Sequence, residues 1–275
     1  KFEKASWDEV FKIIKSKIEN TDKDKICGFV GDLTNMEASF IFKEFFERTI
    51  GKNNYEFRSS QSFVDSSLRE NYLFNSTING IEESDFIVMI GTNPRFEATI
   101  VNARIRKAYL NNNTEIISLN NVGDLTYSYK SLDGATQTIK DIIDNKHEVS
   151  KKILEAKKPM IILGDSFLNT KSAKILFYSL KEFLFKNNKF TEDWNPLNIL
   201  ATNAATVGNL DLDIINEKDD LISDLNQNKF ELIYLLGQDD LKFSKKNEFI
   251  IYQGSHGDKG AEIADIILPG AAYTE

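Results

Sequence analysis

The sequence predicts an α/β fold in which mainly parallel sheets are covered by helices on both faces. Short apolar runs recur along the chain, and they are apolar at consecutive positions instead of alternating with polar residues. This pattern is typical of parallel strands that are buried on both faces. Segments with helical periodicity separate the runs, and such alternation of strand and helix characterises α/β domains. A weak internal repeat of one strand and its following loop supports the same class.

Helices are predicted from caps and from apolar stripes with helical spacing. Ser6 and Glu9 form a capping-box pattern ahead of a stripe that begins at Trp7. Thr34 and Glu37 repeat the capping pattern ahead of a second stripe. A third stripe runs from Ala98 to Tyr109. Further helical patterns cover Thr136–Asp144, Val149–Ala156, Ser172–Phe185 and Asp219–Leu225.

Strands are predicted where a short apolar run ends in a glycine or a turn. The candidates are Ile26–Val30, Phe86–Ile90, Glu115–Leu119, Met160–Leu163, Leu232–Leu236, Phe249–Tyr252 and Ala264–Leu268. Two of them form the internal repeat. Asp85–Asn93 and Glu231–Asp239 each consist of an acid, a five-residue apolar run, a glycine, one variable residue and then Asn or Asp. The repeat predicts two Rossmann-like halves, residues 1–147 and 148–275.

Charge and composition exclude several classes of protein. The chain has 42 acidic and 34 basic residues, and its net charge of −8 predicts that it binds no nucleic acid. One cysteine, Cys27, and two histidines, His147 and His256, exclude a disulfide, a structural zinc site and a cysteine-ligated iron–sulfur cluster on this chain. The longest apolar runs fall far short of the roughly 20 residues of a membrane-spanning helix. We therefore expect no direct membrane insertion.

The candidate site residues lie in loops that follow predicted strands. Ligands of such folds bind at the carboxyl ends of parallel strands, where both glycine loops of the repeat would lie. The candidates are Gly91, Asn93, Arg95, Gly237, Asp239, Gly254, His256 and Asp258. The backbone amides of the glycine-rich loop from Gly254 to Gly260 could hold an anion. The same glycines could equally serve only a sharp reversal of a mobile loop.

Ser166 suggests an enzyme of another class. The strand before Gly164-Asp165-Ser166 resembles the nucleophile block of the GDS-type esterases. That chemistry needs a histidine beside the serine and an acid to orient the histidine. The only matching Asp-x-x-His spacing is Asp144 to His147, which precedes the serine, whereas the family places it near the C-terminus. We therefore do not favour an esterase.

Two motifs go beyond composition and periodicity: the opening helix begins with Trp7-Asp8-Glu9, and the first copy of the repeat continues into a Gly-x-Asn-Pro loop at Gly91. Both motifs resemble the molybdopterin oxidoreductases. Five longer blocks are Gly91–Ala98, Asn102–Lys107, Gly123–Tyr127, Ala156–Met160 and Ile250–Glu275. These blocks resemble more closely the large iron–sulfur subunits of NADH:quinone oxidoreductase, respiratory complex I. The resemblance spans nearly the whole chain and implies a molybdopterin-oxidoreductase-like fold.

The resemblance also implies cofactors and partners. The 2Fe–2S and 4Fe–4S clusters of that family belong to an N-terminal region not contained in this chain, and we expect the chain to be a central piece of a longer polypeptide. In true molybdopterin enzymes a Cys, selenocysteine or Ser after the second strand ligates the metal. The comparable stretch, Tyr55–Gln61, has no cysteine, which implies that molybdopterin is absent, although Ser59 or Ser60 stays open as a ligand.

Two functions follow from the resemblance. The first is a structural domain that supports electron transfer from NADH to quinone without a redox centre or catalytic residue of its own, so that the chain alone is inactive. Its partners are other subunits of the peripheral arm, including the flavin and NADH-binding subunit. The complex lies on the cytoplasmic face of the bacterial inner membrane, or on the matrix side in mitochondria. The alternative is a pterin- or nucleotide-binding module or a cryptic enzyme of the molybdopterin type, using the eight candidate residues.

Overall fold

The computed structural model describes residues 2–216 and 221–275 and divides them into two compact units. Unit 1 combines the residues up to Gln61 with those from Asn203 onward, and unit 2 is Ser62–Thr202. Ten strands lie in the described residues: β1 Ile26–Val30, β2 Tyr55–Glu56, β3 Phe86–Ile90, β4 Glu115–Leu119, β5 Lys130–Leu132, β6 Pro159–Gly164, β7 Leu197–Leu200, β8 Leu232–Leu236, β9 Phe249–Gly254 and β10 Ile266–Pro269.

Twelve α-helices lie in the same described ranges. They are α1 Trp7–Asn20, α2 Met36–Phe45, α3 Thr77–Gly80, α4 Pro94–Glu97, α5 Thr99–Asn112, α6 Thr136–Ile143, α7 Glu148–Glu155, α8 Asp165–Leu168, α9 Ala173–Lys186, α10 Thr206–Asp211, α11 Leu221–Asn226 and α12 Lys259–Ile263. None of them is long and apolar enough to cross a membrane.

Each unit is built on one five-stranded parallel sheet. The strand order is β10-β9-β8-β1-β2 in unit 1 and β5-β4-β3-β6-β7 in unit 2. In unit 1 the strand order changes direction between β1 and β8: β2 lies beyond β1 on one side, and β9 and β10 lie beyond β8 on the other. In unit 2 the order changes direction between β3 and β6 in the same way. The α/β class with parallel sheets and flanking helices is therefore confirmed.

The division of the chain into units differs from the predicted boundary after residue 147, because unit 2 runs from Ser62 to Thr202. β1 pairs along its whole length with β8, from Ile26 opposite Leu232 to Val30 opposite Leu236. β6, predicted to lie in the second half, pairs with β3 of the first. Unit 2 is thus inserted between two parts of unit 1. Local patterns identify strands but carry no information on which distant strand each one pairs with.

Three strands of the structure, β2, β5 and β7, were not predicted from the sequence because they are short or contain polar residues. β2 has two residues and β5 reads Lys-Ser-Leu, and both are edge strands. β7 contains Asn198, which is fully buried. The Asn198 amide accepts a hydrogen bond from Ser76 N at 2.7 Å and donates to Ser76 Oγ at 3.0 Å. These bonds make a buried amide tolerable inside the sheet.

The caps were predicted with mixed success. The Ser6 capping box is confirmed, because Ser6 N donates to Glu9 Oε2 at 2.9 Å while Ser6 Oγ accepts from Glu9 N at 3.3 Å. The predicted cap at Thr34 is wrong. Asn35 caps α2 by accepting from Ala38 N at 2.8 Å, whereas Thr34 Oγ1 donates to Leu236 O. The predicted start of a helix at Asp219 lies outside the described residues; α11 is described from Leu221.

Candidate functional site

The candidate residues fall into two sets, one in each unit. Both sets lie at the carboxyl ends of parallel strands, β8 and β9 in unit 1 and β3 in unit 2, which is the usual ligand position in this topology. Unit 1 contains Gly237, Asp239, Gly254, His256 and Asp258, and unit 2 contains Gly91, Asn93 and Arg95. The structure brings together all five candidates of unit 1 around one cavity of about 740 Å³, here called the unit 1 mouth.

The backbones of two glycines are in close contact at the unit 1 mouth. A Cβ atom on Gly31, directly after β1, would lie 1.7 Å from the carbonyl oxygen of Gly237, directly after β8. Gly31 N donates to Leu236 O at 2.8 Å, and Gly237 N donates to Gln253 O at 2.7 Å. Gly237 also has a φ of +59°, a conformation that favours glycine. The Gly237 amide is therefore committed to the sheet and does not point to a ligand.

Asp239 bonds the glycine-rich loop that the sequence suggested as an anion cradle. Its Oδ1 accepts from Gly260 N at 2.7 Å, and its Oδ2 accepts from the Tyr252 hydroxyl at 3.0 Å. Tyr252 is buried, and burial together with the Asp239 carboxylate raises the pKa of its hydroxyl. A carboxylate of the chain thus accepts the hydrogen bond that a bound phosphate would accept from this loop.

The unit 1 mouth is also strongly acidic. Its lining contains one lysine, Lys259, and five carboxylates: Asp32, Asp239, Asp240, Asp258 and Glu262. Burial raises the pKa of Asp32, and the charges of Asp240 and Asp239 raise it further. His256 is exposed, and its Nδ1 lies 2.9 Å from Ser255 Oγ. Like charges at close range repel an anion, so these groups do not fit the pyrophosphate of a pterin nucleotide.

In unit 2 the candidate side chains are engaged mainly with the loop around residue 124. Arg95 Nη1 donates to Asp124 O at 2.5 Å and to Asp124 Oδ2 at 2.6 Å. A hydrogen bond from Thr126 N and the Arg95 guanidinium lower the pKa of Asp124. Asn93 Nδ2 donates to Val122 O at 3.0 Å, while its buried Oδ1 has no hydrogen-bond partner. Arg95 therefore has a partner within the chain and is not held ready for a phosphate.

Gly91 serves the packing of unit 2. Its φ is +66°, and a Cβ at this position would lie 2.3 Å from Phe167 N. The Gly91 carbonyl accepts from Ser166 N at 3.1 Å. Nearby, burial and the charge of Glu97 raise the pKa of Asp165, whose carboxylate accepts a hydrogen bond from Thr202. This edge of the sheet is acidic as well.

The contacts of Ser166 give no support to the esterase alternative. Ser166 is exposed, and no hydrogen bond joins it to a histidine among the described residues. His147 caps α7 instead, with Nδ1 accepting from Val149 N at 3.2 Å. A serine nucleophile needs a neighbouring base to take its proton.

The segment that follows β2 is fixed by a buried ion pair. Arg58 Nη2 lies 2.6 Å from Glu56 Oε2, and the two side chains are 6% and 1% exposed. Glu56 also accepts from Arg58 N and from Asn216 N. Ser59 is half-buried and Ser60 is exposed. Within residues 2–216 and 221–275, no group of three or more His, Cys, Asp or Glu side chains could hold a metal ion.

Three residues at unit 1 were missed by the sequence analysis. Asp32 directly follows Gly31 at the end of β1, without the variable residue that separates Gly237 from Asp239, but a strand followed by a glycine and an acid is a similar signal that could have found it. Tyr252 lies inside the apolar run of β9, which conceals a single polar group, and Glu56 lies in the two-residue strand β2, which is too short to form a pattern. Cys27 lies in the buried strand β1, and burial raises the pKa of its thiol.

Comparison with known proteins agrees with the resemblance. The chain is 37% identical over 292 residues to the NADH-ubiquinone oxidoreductase 75 kDa subunit of Reclinomonas americana, which covers 100% of the chain and 42% of that protein. It is 37% identical over 272 residues to a subunit of the NADH-quinone oxidoreductase of Rickettsia bellii, covering 98% of the chain and 39% of the relative. The mitochondrial NADH-ubiquinone oxidoreductase 78 kDa subunit of Candida albicans is 38% identical over 283 residues, covering 100% and 38%.

These relatives are much longer than the chain, which spans about two fifths of their length. The model of the molybdopterin oxidoreductase family matches residues 1–275. Since that match covers every residue of the sequence, the chain belongs to the molybdopterin oxidoreductase family.

Proposed function

We propose that the chain is a structural domain of the large iron–sulfur subunit of an NADH:quinone oxidoreductase and that it carries no redox centre itself. The relatives named as subunits of that complex match essentially the whole chain, which supports the assignment to the subunit. The observation that carries the structural role is the bond from Gly260 N to the Asp239 carboxylate at 2.7 Å. The loop best suited to a cofactor phosphate is used to hold the domain together.

The donor groups of unit 1 support the same proposal. A pterin nucleotide brings a pyrophosphate, which needs free amides and cations. The mouth offers five carboxylates against Lys259, and the amides of Gly237 and Gly260 have partners within the chain. These groups therefore do not fit the pyrophosphate of a pterin nucleotide. The ion pair of Glu56 and Arg58 fixes the stretch from which a metal ligand would come in the wider family.

The remaining parts of the proposal concern the complex. The 2Fe–2S and 4Fe–4S clusters would lie on parts of the subunit outside this chain. The domain would support that cluster-bearing region and contact other peripheral-arm subunits, including the one that binds flavin and NADH. Its place would be the cytoplasmic face of the bacterial inner membrane, or the matrix side in mitochondria.

Metal analysis of the purified chain tests this proposal. We expect iron and molybdenum far below one atom per chain, no visible absorbance, and no oxidation of NADH with a quinone analogue. The Glu56→Gln variant serves as a check, since a metal held near Ser59 would respond to loss of the adjacent carboxylate. Stoichiometric metal or a visible chromophore in the wild-type chain would contradict the proposal.

A second candidate is a nucleotide-binding module. It is favoured by the size of the unit 1 mouth, about 740 Å³, which lies in the range of ligand pockets, and by the buried Asn93 Oδ1 without a partner in unit 2. Thermal denaturation with GDP or NADH separates the two functions. A ligand at a hundred times its Kd stabilises a protein by about 2.7 kcal/mol. No change in Tm at millimolar nucleotide supports the structural domain alone.

A further inference from the structure

Unit 1 has an apolar cavity on one face of its sheet, here called the α1–α2 slot. Its volume is about 420 Å³, and it lies between α1, α2 and the strands β8, β9 and β10. Phe11 and Ile14 line it from α1, Ile41 and Phe45 from α2, and Ile251 and Leu268 from the sheet. The polar groups at the slot belong to Gln253 and the Tyr234 hydroxyl, which are hydrogen-bonded to each other.

The helices beside the slot expose large apolar side chains. No residue of α1 is buried, although its apolar stripe is amphipathic. Phe11 is 53% exposed and Ile41 is 66% exposed. Further exposed apolar residues on these two segments are Trp7, Ile13, Leu33, Met36 and Phe40. Large apolar side chains left exposed on neighbouring segments are typical of an interaction surface.

The topology explains why this face is incompletely covered. Right-handed connections place the helix between β1 and β2 on one face and the helix between β9 and β10 on the other. α2 accordingly packs on the slot side, where Phe42 and Phe46 meet Gly28. α12 packs on the opposite side, with Ala261 in the cluster of Ile233 and Tyr252. No connecting helix of the described residues therefore covers β9 and β10 on the slot side, and α1 alone lies there.

We propose that the α1–α2 slot receives an amphipathic helix from the part of the family polypeptide that this chain does not match. The relatives are more than twice as long as the chain, so about three fifths of their sequence lies outside the matched region. A third helix between α1 and α2 would complete the helical layer over the parallel sheet. Large apolar residues at positions i, i+3 or i+4, and i+7 would contact Phe11, Ile41 and Ile251.

The source of the helix rests on the proposed function, while the slot itself does not. The test depends on the burial of Cys27, the single cysteine of the chain, because a buried thiol does not react with a label. Cys27 is fully buried with a raised thiol pKa, so an added surface cysteine is the one that reacts with a label. Ile41→Cys places a bimane fluorophore at the slot, and Ile175→Cys on α9 of unit 2 is the matched control, since Ile175 is 68% exposed.

The probes are overlapping peptides of about 25 residues, long enough for a stable helix. They cover the Reclinomonas americana subunit outside the matched region. We expect one stretch with amphipathic periodicity to shift the Ile41→Cys fluorescence saturably, to leave the Ile175→Cys fluorescence unchanged, and to bind at least tenfold more weakly to the Ile41→Glu variant. Circular dichroism confirms that each variant is folded.

Any one of four results would overturn the proposal. No peptide binds, or the control label responds equally; the chain dimerises through the slot in a way that Ile41→Glu abolishes; or only the apolar dye ANS binds there. None of these results bears on the metal analysis, so the slot can fail while the structural-domain proposal stands. Stoichiometric metal would contradict the structural-domain proposal and leave the proposal for the slot unaffected.

Discussion

Replacement of Asp239 tests the role assigned to this carboxylate in unit 1. In the Asp239→Ala variant, the Gly260 amide and the Tyr252 hydroxyl lose their acceptor at 2.7 and 3.0 Å. Gly260 and Tyr252 are both buried, so water replaces these bonds poorly. The Tyr252 hydroxyl retains a longer bond to His256 O at 3.3 Å. The loop between β9 and α12 should therefore loosen.

The size of the effect follows from these contacts. Hydrogen bonds to a charged group contribute roughly 1.5–3 kcal/mol each. The remaining Tyr252 bond and the relief of repulsion with Asp32 reduce the sum, so we expect the free energy of unfolding to fall by about 2–3 kcal/mol. For a chain of this size the Tm should fall by about 5–10 °C.

Thermal and urea denaturation followed by circular dichroism measures this difference. Asp240→Ala is the matched control, because Asp240 is an adjacent exposed carboxylate. Its removal should lower the stability by no more than about 0.5 kcal/mol, as at other surface positions, because the loss of its repulsion with Asp32 acts in the stabilising direction. Equal stabilities of the two variants would refute the assignment of Asp239 as the acceptor of the loop.

Three further substitutions test the packing and charges around the two sheets. Gly31→Ala places a Cβ against the Gly237 backbone and should lower the free energy of unfolding, measured by urea denaturation, by about 3 kcal/mol. Gly257→Ala is the control and should be nearly neutral, because no atom lies within 4 Å of a Cβ at this position. Equal losses of stability in the two variants would contradict the contact between Gly31 and Gly237. Asp32→Asn should raise the Tm at pH 7, because a raised folded-state pKa means that ionisation destabilises the fold. That gain should disappear towards the unfolded carboxyl pKa of about 3.9, and a gain independent of pH would be inconsistent with it. Asn198→Ala leaves Ser76 N unpaired and should cost about 2–4 kcal/mol by calorimetry; a neutral result would contradict the buried network.

Much of the fold could be predicted because apolar runs and their terminal glycines are local signals. All seven predicted strands exist, and Gly91 and Gly237 indeed follow the central strands β3 and β8. The insertion of unit 2 into unit 1 could not be predicted, since it depends on the pairing of β1 with β8 across about 200 residues. The edge strands β2 and β5 are too short to form a pattern.

The sequence predicted that the unit 1 candidates lie at one edge of a sheet, and a binding role for them stays a prediction. The sequence indicated that Asp239 and the loop near Gly260 belong to the same edge, yet their hydrogen bond joins residues 21 positions apart. Spacing could not distinguish a loop that holds an anion from one that is bonded by the chain's own carboxylate. The stripe of α1 predicted a helix correctly but not its exposure, because an exposed amphipathic helix has the same periodicity as one that packs on the core of its own domain.

Calorimetric titration with inorganic pyrophosphate tests the central claim most directly, because pyrophosphate is the group that a pterin nucleotide would place against the loop. If Asp239 already accepts the Gly260 amide, the wild-type chain should give no saturable heat up to about 1 mM, a limit that corresponds to about −4.1 kcal/mol. Saturable binding by the wild-type chain that is lost in the Gly260→Ala variant would show the loop to be an anion site and contradict the account.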